Sequence, residues 1–548
     1  QPLGLGGPRP TGGNGSRTAI PSDQDWDEPV IIDDTDEAAK RAIIEQMNAR
    51  FAYVKLPRDA VIVDTVSNAE RRGGERAYLT PRGFLTEQQR YPLRLRSFTA
   101  KGAEKLVTLN RGELWLGHPR RRQYEEWGFA PERTPAECEV VNPSTGYRRL
   151  LNTYQGFAVK SNDRGLTDCP RFAELIDEVI ADGSEESSRY IWSFFADIFQ
   201  RPADKSGVAL YLYSPEKGTG KGTLLRAMGL LLGRYYQLVQ SADQVAGQWN
   251  LHLADKLLIF FDEARGLDSR DKADRLNSLI TESEYAASEK FAPLQTCRAY
   301  TRYVFASNRE DGVSIQVQDR RYAAFKVSPR RRRDEAFFTA LWREMYAPCE
   351  PPPVSASLDV ARAAAGAYRG LSGLMHHLRY GVRLEGPPVE GSPSLGGGVN
   401  LRTIPQTRLR MNMMLASLEG VEAFIFSAAC QTQSIVVERA PAPGMKVEKQ
   451  EIRWPSGGPF DMCASDLAGA YGTWAKANGQ RSITNIVRHL DGVFTMSVPG
   501  RDGSRDIDVV ERHPDYKVYK STGELQVRMV TLPSSGSVAA WLAQKYGW

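Results

Sequence analysis

An apolar strand that runs into a glycine turn and out into a helix leaves few folds open. Val208 to Thr223, VALYLYSPEKGTGKGT, is such a stretch. Val208 to Tyr213 has the unbroken apolar and aromatic character of a buried strand, Gly218 and Gly220 break it, and Leu224 to Leu232 resumes at helical spacing until Gly233. Without side chains in the way, backbone N–H groups of such a loop can converge on phosphate oxygens. The helix behind it aims its positive end at the same place. Glu216, Lys217, Gly218, Thr219, Gly220, Lys221, Gly222 and Thr223 are therefore the expected cradle, with Lys221 reaching the outer phosphates of a nucleotide. Two positions depart from the usual pattern. Pro215 stands at the first glycine, and Gly222 stands where a magnesium-binding Ser or Thr normally follows the lysine, with Thr223 one residue late.

Two further strands carry polar tips. Leu257 to Phe261 is wholly apolar and ends in Asp262-Glu263, 41 residues beyond Lys221. Carboxylates at the tip of a buried parallel strand sit where α/β folds place their chemistry. Asp262 is expected to hold Mg²⁺, with Thr223 as a second oxygen donor, and Glu263 to polarise an attacking water. Tyr303 to Ser307 is a third strand, tipped by Asn308, which can orient that water. Between the second and third strands, Lys290 and Phe291 in a turn-prone stretch pair a phosphate-seeking charge with an aromatic face, a combination suited to single strands of nucleic acid. After Asn308, Asp319-Arg320-Arg321-Tyr322 leads into apolar Ala323 to Phe325, and an arginine there can project towards a neighbouring subunit's phosphate.

Composition narrows the class without naming it. The 548 residues suffice for several domains, and 41% hydrophobic with 25% charged residues is ordinary for a globular protein. A net charge of +5 is too weak to argue for a nucleic-acid partner, so local basic runs carry more information. The six cysteines at 138, 169, 297, 349, 430 and 463 are scattered, which excludes a zinc ribbon and suggests a reducing compartment. No stretch approaches a membrane span or a signal peptide, so no membrane partner is expected. The chain begins with Gln1 rather than Met and reads as a fragment that a further domain could precede.

Along the chain, residues 1–25 are rich in Gly, Pro, Ser and Thr and read as a disordered tail or linker. Val30 to Asp36 reads as a turn and helix cap, followed by helical spacing at Ala39, Ile43, Ile44 and Met47. The segments AYVKL, AVIVDT, RAYLT, LVTL and GELWLG read as strands of a mostly β domain over 26–165. Within it, Arg120, Arg121 and Arg122 beside Tyr124 and Trp127 read first as solvated surface and second as a phosphate contact. Two helices, FAELIDEVI and RYIWSFFADIF, form a collar over 166–204. An ATPase domain is expected over 205–348, closed by the basic run Arg330 to Arg333, read as a solvated helix entry. A C-terminal α+β domain over 349–548 follows, flexible at 381–400. FDMCASDLAGAYGTWAKANG and SITNIVRHLDGVFTMSV give it a winged-helix-like ending.

The order of loop, acidic pair, Lys-aromatic turn, strand-tip Asn and Arg-Arg-aromatic, compressed between Ser214 and Phe325, resembles superfamily 3 helicases. SPEKGTGKGT with FFDEA, FASN and DRRYAAF looks like the helicase part of phage and mobile-element primase-helicases. That resemblance implies a multidomain α/β protein with a central AAA+-like ATPase on a parallel sheet, using ATP and Mg²⁺. It implies a homo-oligomeric ring, a hexamer, moving 3′ to 5′ on single-stranded or forked DNA in a bacterial host's cytoplasm, alongside a primase or other replication protein. The roles it implies are catalysis by Glu263 and Asn308, a finger at Arg321 or Arg320, and a channel hairpin bearing Lys290, 18 residues before Asn308. Arg321 fits the finger better, because it directly precedes the residue that opens the next strand. The alternatives are an AAA+ protein remodeller, and a non-enzymatic origin-binding factor.

Overall fold

The computed structural model describes residues 30–56, 59–65, 78–99, 102–247, 250–265, 270–287, 295–310, 312–313, 315–316, 319–352, 368–385, 398–439, 448–481, 483, 485–499, 508–520 and 528–546. The chain divides into two compact units, Gln1–Gly156 and Phe157–Trp548.

In the first unit, β1 (Val30–Asp33) leads to α1 (Glu37–Arg50), whose first amides are capped by Asp36 and whose Ile43, Ile44 and Met47 are buried. A five-stranded sheet is built from β2 (Phe51–Lys55), β3 (Ala60–Asp64), β4 (Tyr78–Leu79), β7 (Gln123–Gly128) and β8 (Arg148–Asn152), in the order β4-β3-β2-β7-β8. A second sheet joins β1 to β5 (Pro92–Phe98) and β6 (Glu104–Asn110). GELWLG is not a strand, as the sequence suggests, but part of helix α2 (Arg111–Gly117). The Asn110 side chain caps it by accepting from the Gly112 amide, and Trp115 is wholly buried with its indole N–H on Asn48. A short apolar run has no period of its own, and here the cap and the tryptophan's pocket decide.

The second unit opens with two helical segments. Pro170–Glu174 continues to Ile180 with wider turns, then Asp182 and Gly183 adopt positive φ and Ser184 caps α3 (Glu185–Gln200). Beyond them lies a five-stranded sheet in which every pairing is parallel: β9 (Ala209–Tyr213), β10 (Tyr236–Ser241), β11 (Leu258–Arg265), β14 (Arg302–Ser307) and β15 (Tyr322–Lys326). Their order is β10-β11-β14-β9-β15. The chain leaves β9 through helix α4 (Lys221–Leu232) to the far edge, then returns strand by strand and passes over β9 to β15. The direction of crossing reverses at β9, the kind of switch point where a crevice opens outside the carboxyl ends of the strands. A hairpin of β12 (Glu284–Ala287) and β13 (Gln295–Arg298) is inserted in the chain between β11 and β14. From Val421 onward the described residues form a separate core around Phe424, Tyr471, Leu490, Trp454 and Trp541, with helices Ala464–Ala477 and Ile486–Val493 and a hairpin of Thr495–Pro499 with Asp508–Arg512.

One buried group ties the helical pair to the sheet. Arg302, 1% exposed at the start of β14, donates to the Asp197 carboxylate at 2.8 Å and to the carbonyls of Arg201, Pro202, Asp204 and Tyr300. It therefore closes the end of α3, whose last carbonyls have no helical partner. Arg302→Met leaves Asp197 buried without a counter-charge, an expected cost of about 3–5 kcal/mol. Asp197→Leu/Arg302→Met is expected to recover most of that loss in denaturant unfolding. A single variant as stable as the parent would show that the staple carries nothing.

Candidate nucleotide site

The parallel register brings three strand ends to one place. Asp262 on β11 lies beside Ala306 on β14, and Ser307 lies beside Tyr213 on β9. The glycine loop, the acidic pair and Asn308 thus meet at the carboxyl edge of the sheet. In the loop, Gly218 and Gly220 have φ of 77° and 100°, backbone that side chains disfavour. A Cβ on Gly220 would also lie 2.7 Å from Leu175 and 3.2 Å from Phe338, so a substituted loop has to move. Gly222 is different: a Cβ there would meet open space, so nothing in the fold demands glycine at the place of the usual metal-binding hydroxyl.

Lys221, the first residue of α4, points its Nζ at Asn308 Oδ1, 3.4 Å away. Asn308 in turn donates its amide to Glu263 Oε1 at 2.5 Å, and the exposed Lys217 approaches the same carboxylate oxygen at 3.4 Å. Burial pulls the Lys221 ammonium down to about 8, against the opposing pull of Asp262 and Glu263. Burial, and then the neighbouring Glu263 charge, push the Asp262 carboxyl up. Both groups are thus held where a ligand of opposite charge relieves them, a phosphate for the lysine and a cation for the aspartate. Glu263 has φ of 49°, outside the ordinary regions for a side-chain-bearing residue. Such backbone costs about 1–3 kcal/mol and collects at working sites.

These groups line a single cavity of about 820 Å³. Its floor is Lys217 to Thr223, with Asp262, Glu263 and Asn308 on one side. The Thr219 hydroxyl is buried with no hydrogen-bond partner among the described residues. Mg²⁺ suits this donor set. Asp262 and Thr223 both line the cavity and offer hard oxygen donors, so they are the residues that would hold such a cation. No group of three or more acidic, His or Cys side chains that could hold a metal ion occurs among the described residues. A nucleotide-bound Mg²⁺ does not require one, because phosphates supply its other ligands.

The arginine pair stands elsewhere. Arg320 and Arg321 precede β15, at the amino ends of the strands, so about 17 Å of strand separates them from the loop of their own chain. Arg320 is exposed. Arg321 is gripped by the nearly buried Asp319, through its backbone N–H at 2.8 Å and its Nε at 3.2 Å, which leaves the terminal nitrogens of the fork beyond the contact. The segment is braced from behind by buried Arg410, which donates to the carbonyls of Asp319 and Tyr322. Lys290 and Phe291 lie outside the described residues; the strands on either side of them in the sequence form the antiparallel hairpin above.

Two basic runs are largely engaged internally. Arg121 lies over the Tyr53 ring and donates to Gln123, while Arg122 donates to Tyr124 and faces Glu139 at 3.8 Å. In the second run, Arg330, Arg331 and Arg332 face Glu178, Glu174 and Glu216. Arg333 turns its backbone N–H onto the Gly218 carbonyl at 3.0 Å and borders the cavity. Sequence reading missed this contribution, and it missed the wall that follows. Helix α5 (Glu335–Tyr346) presents Phe338, Thr339, Trp342 and Tyr346 to the cavity. Their spacing marks one helical face, but nothing local says what that face covers.

Compared with known proteins, residues 212–321 match a family of unknown function, DUF5906, over the span that carries the loop, the acidic pair, the hairpin and the arginine pair. No curated protein matches. Among solved structures, the apo structure of the NrS-1 C terminal region (305-718) aligns with a TM-score of 0.51 at 12% identity, over 90% of this chain and 99% of that one. The A form apo structure of the same C terminal region gives 0.44 at 12% identity, over 71% and 78% of the two chains. The first of these likenesses shows a shared multidomain α/β fold.

Proposed function

We propose that this protein is an ATP-driven DNA helicase of a phage or mobile-element replication system, working as a ring of identical subunits. The observation that carries the reading is the convergence of Lys221, Asp262, Glu263 and Asn308 on one cavity above a glycine loop at the switch point of a parallel sheet. Lys221 and the loop amides bind the phosphates, and Asp262 and Thr223 would hold Mg²⁺, which would supply charge neutralisation there. Asn308 fixes the Glu263 carboxylate, and that carboxylate takes a proton from the attacking water. Arg321 or Arg320, remote from their own loop, would serve the next subunit, with Arg321 the better fit. Lys290 and Phe291, between β12 and β13 in the sequence, would be the residues that meet a DNA strand. Among the described residues, no helix is long and apolar enough to cross a membrane.

ATP hydrolysis measured with and without single-stranded DNA tests this. Hydrolysis that DNA stimulates, that Lys221→Ala abolishes, and whose stimulation Lys290→Ala removes is the expected result. Hydrolysis indifferent to DNA points to a protein remodeller. No hydrolysis under any condition leaves a non-enzymatic replication factor.

A further inference from the structure

Between β15 and α5 the chain forms a strap, Val327 to Asp334, bonded to the first helical segment on one side and to the glycine loop on the other. On the helical side, the Ser328 N–H donates to the Val179 carbonyl at 2.8 Å and Arg330 pairs with Glu178. Arg331 donates from Nε to the Glu174 carboxylate at 3.1 Å. On the loop side, Arg332 approaches Glu216 at 3.5 Å, and the Arg333 N–H donates to the Gly218 carbonyl at 3.0 Å. Strap and loop are in close contact, since a Cβ on Gly218 would lie 3.3 Å from Arg333 Cγ. Arg331 is the hub. It also donates to Asp334 at 3.0 Å, whose carboxylate caps α5 through the Phe337 N–H, and its guanidinium lies 4.6 Å from the Phe337 ring centroid. The segment that anchors it, Leu175–Ile180, has the wider turns that recur at functional places in helices.

The Arg333–Gly218 bond fixes a peptide plane. In a trans peptide the C=O and the N–H that follows it point in opposite directions. Holding the Gly218 carbonyl on the strap therefore turns the Thr219 N–H away from the strap, free to donate elsewhere. We propose that Arg331 is a positioning residue for phosphate binding: it anchors the strap on Glu174, and the strap holds the Gly218–Thr219 peptide with its N–H ready for a phosphate oxygen. This rests on the reading of the glycine loop as the phosphate cradle. A loop held in its binding conformation does not have to be ordered by the ligand, so affinity for the phosphate chain rises.

The test titrates ATP and inorganic tripolyphosphate, each with Mg²⁺, calorimetrically into the full chain. Arg331→Met keeps the stem on Phe337 and removes the charge; it is expected to weaken both ligands about tenfold and by the same factor, because both use the loop. Arg331→Lys is expected to regain part of the loss, since one ammonium can meet Glu174 or Asp334 but does not reproduce the fork. Because Arg331 also braces the cap of α5, Glu174→Gln is the second variant, and it decides alone if Arg331→Met fails to fold. It is expected to weaken both ligands about threefold, the scale of a partly exposed ion pair. Added to Arg331→Met it is expected to cost little more, because the two act through one contact. A merely structural Arg331 lowers the denaturant midpoint and leaves both affinities at the parent's values, which would overturn the proposal. A double variant whose loss is the product of the two single losses would overturn it too. If the parent binds neither ligand, the reading of the loop has failed and the strap's role falls with it; if the parent binds both and the variants match it, the strap's role alone falls.

Discussion

Glu263→Gln is expected to bind ATP as tightly as the parent and to turn it over about 10²–10⁴-fold more slowly, the usual contribution of a positioned general base. The substitution preserves shape. The Asn308 amide donates to Glu263 Oε1 at 2.5 Å, and a glutamine oxygen can accept the same bond. The left-handed backbone at 263 is set by the strand end and remains strained in both forms. What the amide loses is the capacity to take a proton from water. It also loses the charge that Lys217 approaches at 3.4 Å, but that lysine is exposed, so binding depends little on it. Lys221→Ala is expected to have the opposite signature, because its half-buried ammonium stands beside the loop, where it would meet the phosphates directly: binding itself weakens. Binding by calorimetry and turnover by phosphate release separate the two. A Glu263→Gln protein that hydrolyses ATP at the parent's rate would remove Glu263 from the reaction.

Arg321→Ala is expected to cost about 10³-fold or more in hydrolysis, the scale of a lost arginine finger, with Arg320→Ala much milder. Asp319 holds Arg321 at its inner nitrogen and its backbone, so the fork is oriented, whereas Arg320 is exposed without such a brace among the described residues. The competing account is structural: removing Arg321 leaves Asp319 nearly buried without its counter-charge, which destabilises the segment. Subunit mixing distinguishes them. Because Arg321 sits at the end of the sheet opposite its own loop, an Arg321→Ala subunit keeps an intact cradle and a Lys221→Ala subunit keeps an intact finger. Mixed assemblies of the two are expected to regain part of the hydrolysis that each lacks alone. If mixtures stay inactive while subunit exchange is demonstrated, Arg321 does not act between subunits. Ring action by this route then falls.

The sequence by itself determined the parts of the site that are contiguous in the chain. Strand, glycine turn and helix at Val208 to Leu232 follow from local rules, since only a glycine-rich turn takes φ of 77° and 100° without strain. The tips Asp262, Glu263 and Asn308 were legible because a polar residue ending a wholly apolar strand has to lie at the sheet's edge. The helix at Glu37–Arg50 was legible for the same kind of reason, in its period and its Asp36 cap. Only the tertiary structure decided what those pieces meet. Parallel register, set by side chains packed on both faces of the sheet, puts Asn308 between the loop and the acidic pair and within hydrogen-bond reach of both. It also sends Arg320 and Arg321 to the far end. Folding turned the second arginine run to face glutamates supplied by distant segments, which composition cannot foresee. It set Phe338 against Gly220, 118 residues away in the chain. An aromatic stripe states only that a helix face is covered. Its partner is fixed by long-range packing, because hydrophobic burial is non-directional and only the closed fold supplies the opposite wall.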